Sequence, residues 1–164
     1  MPTLPVSVAR VHGPEGAIDY VTLTPPDSLA ARGLDPATIL GRLHTPVQPD
    51  HPITPAAFEP NAAFAELLQA VISRDGPDQP GLCDEARRIG EGRVYVIDRR
   101  TPTPEGPVPP EDIFGVFAVR DGTVVTGSYR PSPSHRLLSD HGFFRLDEGL
   151  EACLLRELAA RSTV

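Results

Sequence analysis

The dipeptide Asp121-Gly122 sits between two runs of β-forming residues, Ile113 to Arg120 and Thr123 to Tyr129. Asp followed by Gly tolerates positive φ at both positions, which a two-residue hairpin turn requires. The pair therefore predicts a β-hairpin over 113–129, with strands at 113–120 and 123–129. The first strand is apolar on both faces: Ile113, Gly115, Phe117 and Val119 alternate with Phe114, Val116 and Ala118. Such a strand is expected at the centre of a sheet, covered on both sides.

The remaining elements follow from periodicity. Residues 93–98 (RVYVID) and 17–24 (AIDYVTLT) read as strands, and Val6 and Val8 suggest a weak edge strand before them. Asn61 to Arg74 carries Phe64, Leu67, Leu68, Val71 and Ile72 on one helical stripe, so 61–74 is expected to be a helix capped by Asn61. A short helical pattern covers 82–89, which ends at Gly90, and a longer one covers 147–161, where Leu150, Cys153, Leu154 and Leu158 share a face. Asp27 to Arg42 suggests one or two short helices, the second opened by Asp35 and Pro36.

Proline divides these elements. The chain has 20 prolines, and residues 44–60 hold enough of them to predict an extended loop. That loop is the one soft boundary in what otherwise reads as a single domain over residues 1–164. Strands mixed with helices, joined by a tight hairpin, predict an α+β fold: an antiparallel sheet packed against helices. Residues 130–146 read as a loop with a short apolar patch at Phe143 and Phe144.

Composition excludes some chemistry. All 15 basic residues are arginine, which with abundant Ala, Gly and Pro reads as bacterial-type GC-rich coding. Without lysine there is no Schiff base and no P-loop lysine, so anion recognition falls to Arg or to backbone N–H groups. The net charge of −7 and the lack of Trp argue against nucleic acid as a partner. No apolar run is long enough for a membrane span, and no secretory leader pattern is visible. The chain is expected to be cytoplasmic, with Cys83 and Cys153 as free thiols. The histidines have no metal-ligand spacing, so neither a metal nor a cofactor is expected.

The familiar nucleotide, hydrolase and metalloprotease motifs are absent. One constellation remains. If the strands at 93–98, 113–120 and 123–129 form a meander, their polar ends meet at one rim. That rim would gather Asp98, Arg99, Arg100, Glu111, Asp112, Tyr129, Arg130 and Arg136, with His135 as the candidate acid or base. Two readings follow. In the first, the chain is a small binding or accessory module for a protein partner or a small anionic ligand. In the second, it is a small hydrolase or transferase that handles a phosphorylated or carboxylated substrate through His135 and the rim arginines. A third possibility assigns no function to the rim: its charges pair with one another to pin proline-stiffened loops, and His135 anchors its own loop.

Overall fold

The computed structural model describes residues 6–24, 27, 30, 31, 33–45, 53–100 and 108–162. Its elements run β1 (Ser7–Gly13), β2 (Gly16–Thr22), β3 (Ile39–Leu43), β4 (Phe58–Pro60), α1 (Ala62–Asp75), α2 (Pro80–Ile89), β5 (Gly92–Ile97), β6 (Ile113–Arg120), β7 (Thr123–Val124), β8 (Arg130–Pro131), β9 (Leu138–Ser139), β10 (Gly142–Phe143) and α3 (Glu148–Ser162). The fold is α+β, as the sequence predicts, but its strands do not join one sheet. Strands β1 to β4 form one antiparallel sheet in sequence order, and β5, β6 and β7 form a second, to which β8 adds by pairing with β6. A small β9–β10 ribbon stands apart.

The Asp121-Gly122 turn forms as expected. Both residues have positive φ, 53° and 71°, and Arg120 faces Thr123 across a two-residue loop. The return strand is shorter than predicted. Regular pairing stops at Val124, and the chain turns at 125–128, where Ser128 N–H bonds the Val125 carbonyl and Gly127 takes a positive φ. It then rejoins β6 as β8, with Pro131 opposite Gly115 and Arg130 opposite Val116.

Strand β6 is central but is not covered on both faces, contrary to the expectation from its composition. Phe117 and Val119 are buried, while Ala118 and Arg120 are exposed. The opposite strand agrees: Val94 and Val96 are buried, and Tyr95 is half exposed. Alternation breaks at a bulge. Val96 pairs with Gly115 and Ile97 with Ile113, which leaves Phe114 unopposed and fully buried. A bulge re-aims a side chain, and here it turns Phe114 into the core.

Residues 33–60 depart furthest from expectation. Asp35 does cap an N-terminus, its side chain accepting from Ala37 N–H, but only a 3-10 turn follows before the chain extends into β3. Ile39, Leu40 and Leu43 gain more from pairing with β2 and β4 than from a short helix. Of the 44–60 loop, residues 46–52 lie outside the described residues, as do residues 28, 29 and 32 of the first predicted helix. The rest is tied down: Phe58 to Pro60 pair with Gly41 to Leu43.

The helices follow their apolar stripes. Asn61 caps α1 through Ala63 N–H, and Phe64, Leu68, Val71 and Ile72 are buried. Helix α2 begins at Pro80, two residues ahead of the predicted start, because proline suits the first helical turn. Asp147 caps α3 by accepting from Leu150 N–H, and Leu150, Leu154 and Leu158 enter the core. Burying each of these leucines contributes about 1.5–3 kcal/mol. Among the described residues no helix is long and apolar enough to cross a membrane.

Candidate functional site

The meander brings part of the rim together. Asp98 N–H donates to the Asp112 carbonyl at 2.7 Å, so the end of β5 does meet the start of β6. Asp98, Arg100 and Asp112 are all buried there. The Asp98 carboxylate receives four groups. Its Oδ1 accepts from the backbone N–H of Arg100 at 3.1 Å and of Arg145 at 2.9 Å. Its Oδ2 lies 2.9 Å from Nε2 of His135 and 3.6 Å from Nε of Arg100.

Arg100 is engaged almost throughout. Its Nε donates to Asp112 Oδ1 at 2.7 Å, one terminal nitrogen donates to the Gly142 carbonyl, and the other donates to the carbonyls of Glu111 and Arg136. A planar guanidinium with five fixed donors suits this task, and an ammonium could not reach all of these acceptors at once. The Asp98–Arg100–Asp112 group is therefore an internal clasp, and its charges are not offered to a ligand.

His135 belongs to both the clasp and the surface. Its ring stacks on Phe114, centroids 4.2 Å apart, and Nε2 is held by Asp98. A carboxylate can only accept, so Nε2 is the donor in this bond and Nδ1 is the ring's other polar atom. Among the described residues Nδ1 has no protein partner, and the His135 side chain, though only 4% exposed, lines a groove. No serine hydroxyl or cysteine thiol among the described residues bonds this histidine.

That groove has a volume of about 850 Å³. One wall is the α1 face bearing Ala65, Gln69 and Ser73; the other is the segment from Tyr129 to Leu138. Phe58, Leu68, Leu137 and Leu138 make it largely apolar, and Arg136 supplies a cation. Tyr129 shapes the floor. Its ring packs on Phe117, its hydroxyl donates to Gln69 Oε1, and Gln69 Nε2 in turn donates to the Phe114 carbonyl. Burial drives the Tyr129 phenol well above its ordinary range, so it remains a donor. Gly115 lets this happen: a Cβ there would overlap the Tyr129 phenol and the Arg130 carbonyl.

The structure does not gather the other predicted arginines. Arg99, Arg130 and Arg136 are exposed and have no side-chain partner among the described residues, but they border three different hollows. A four-arginine grip on one anion is therefore not formed. Glu111 contributes its carbonyl to the clasp. Among the described residues no cluster of three or more His, Cys, Asp or Glu could hold a metal ion.

Sequence reasoning did not find Gln69, Phe58, Phe114 and Arg145 at the site. Gln69 flanks the apolar stripe of α1 and carried no pattern of its own. Phe114 reaches His135 only because of the bulge, which periodicity does not show. Comparison of the chain with protein-family models, with curated proteins and with solved structures gave no match.

Proposed function

We propose that the protein is a small binding module whose groove takes a ligand with an apolar body and a single acidic group. The observation that carries this reading is the groove itself. Its volume of about 850 Å³ falls within the range of small-molecule sites, and its walls are mainly apolar with a few polar groups, as such sites usually are. Phe58, Leu68, Leu137 and Leu138 would enclose the body of the ligand. Arg136 would meet the acidic group, and Nδ1 of His135 would accept a hydrogen bond. Both cysteines are free thiols, which suits a cytoplasmic protein.

The test is thermal shift and calorimetry with 4-phenylbutyrate, hexanoate and phenyl phosphate. A ligand that binds only the native state raises the melting temperature with concentration. Saturable stabilisation by at least one acid, lost in Arg136→Ala and kept in Arg130→Ala, is the expected result. No shift with any of the three acids, or an equal shift in both variants, would overturn the assignment.

A second reading has one observation in its favour. A histidine oriented by a buried carboxylate on the wall of a groove is an arrangement suited to proton transfer. Hydrolysis of 4-nitrophenyl phosphate or 4-nitrophenyl acetate with a histidine-like pH profile, abolished in His135→Gln, would transfer the conclusion to a hydrolase.

A further inference from the structure

Among the described residues, the side of the second sheet that faces away from the helices is exposed, and the charged side chains its strands carry there are arginines. Tyr95, Val116 and Arg130 lie in one row across β5, β6 and β8, and Arg93 lies opposite Ala118 in the next. Arg120 continues the same face of β6, two residues beyond Ala118. Tyr95 is 50% exposed, and Arg93, Ala118, Arg120 and Arg130 are exposed as well. Arg93, Val116, Ala118, Ser128 and Arg130 line a hollow of about 410 Å³ on this face.

Three arginines without an ion pair share this one face, whereas Arg99, Arg136 and Arg156, which also lack one, lie apart from it and most other arginines are paired. Arg10, Arg42, Arg74, Arg87, Arg88, Arg100 and Arg161 each hold a carboxylate. Arg93, Arg120 and Arg130 have no side-chain hydrogen bond or ion pair among the described residues. The nearest acid in the register, Glu91 at the turn end, accepts from Asp121 N–H. On a chain of net charge −7 this makes one locally cationic surface, with an aromatic ring and two small apolar side chains between the charges.

We infer that this face docks an acidic, partly apolar segment of a partner polypeptide, with Arg93, Arg120 and Arg130 meeting its carboxylates and Tyr95, Val116 and Ala118 its apolar side chains. Charge complementarity selects the partner. A second copy of this acidic chain is repelled overall, and so is a long polyanion such as RNA, for which the face offers only one stacking ring. An acidic peptide with a few carboxylates needs only the local field. The surface is separate from the Arg136 groove, so either assignment can fail without the other.

The probe is a fluorescein-labelled octapeptide of alternating Glu and Val, followed by fluorescence anisotropy against the whole chain. The controls are the corresponding Lys-Val peptide and a uridine octanucleotide. Saturable binding of the Glu-Val peptide is expected, weaker in about 0.5 M salt than in about 0.05 M salt. Arg93→Glu with Arg130→Glu should weaken it by about ten-fold or more. Arg156→Glu on α3 should leave it unchanged. Equal binding of the Lys-Val peptide, or indifference to the double variant, would overturn the inference. Tighter binding of the oligonucleotide would reassign the face to nucleic acid, and full competition by inorganic phosphate would reassign it to free anions.

Discussion

Nε2 of His135 lies 2.9 Å from a carboxylate oxygen of Asp98, thirty-seven positions away in the chain, and both side chains are almost wholly withdrawn from solvent. The contact joins the end of β5 to the groove wall, so the position of the histidine depends on the clasp beneath it. His135→Ala is expected to destabilise the fold by about 1.5–3 kcal/mol, the usual cost of a hydrogen bond to a charged group. Urea denaturation would measure it. Amide exchange should accelerate across residues 130–142, and His135→Gln should recover part of the loss. An unchanged denaturation midpoint would remove the anchoring role.

Arg100 offers a stricter test. Arg100→Lys keeps the charge and loses the fork, so most of its acceptors, at Glu111, Asp112, Arg136 and Gly142, would lose their donor. Breaking a buried ion pair by removing one partner costs about 3–5 kcal/mol. The lysine variant, which still offers a cation to Asp112, should lie below that range but well above the fraction of a kcal/mol expected for an exposed substitution such as Arg87→Lys. Chemical denaturation of the two variants side by side would decide it.

Gly115→Ala should cost about 1–3 kcal/mol, because the added methyl meets the Tyr129 phenol and the rigid Arg130 carbonyl. Relief by movement of Tyr129 would break its bond to Gln69. The Gln69 side-chain amide resonances should therefore shift more than those of Gln79. If they stay in place, Gly115 does not set the groove floor.

Glu151, buried in the first turn of α3, has its carboxyl raised chiefly by burial; Glu148 adds to the shift and Arg145 opposes it. A carboxyl raised in the folded state binds its proton more tightly there than in the unfolded chain. Its contribution is therefore present below the unfolded value and is lost as pH rises through the folded one. Glu151→Gln should raise the melting temperature at pH 7 and change it little at pH 4. Equal effects at the two pH values would contradict this.

The sequence was most legible where local chemistry and packing agree. Asp121-Gly122 announced its turn, Asn61 its cap, and the stripe from Phe64 to Ile72 its buried face. It misled where pairing partners decide. Ile39 to Arg42 looked like a helix end because Asp35 and Pro36 do start a turn, yet β2 and β4 claim the following residues. The rim was half legible for a similar reason. Strand order placed Asp98 beside Asp112, while alternation, the bulge at Phe114 and the early end of β7 sent Arg99, Arg130 and Arg136 to separate hollows. Periodicity registers the alternation but neither the bulge nor the early end of β7.

The bonds of Arg100 reach Glu111, Asp112, Arg136 and Gly142, and the last two are 36 and 42 positions away along the chain. Contacts of such separation form only after the intervening loops have closed, so this knot should tighten late in folding. Once tied, it makes its four strands of chain open together or not at all. The wall carrying His135 and Arg136 should then behave as a single cooperative unit: a disturbance at Gly142 would be felt at Arg136 without any direct contact between them.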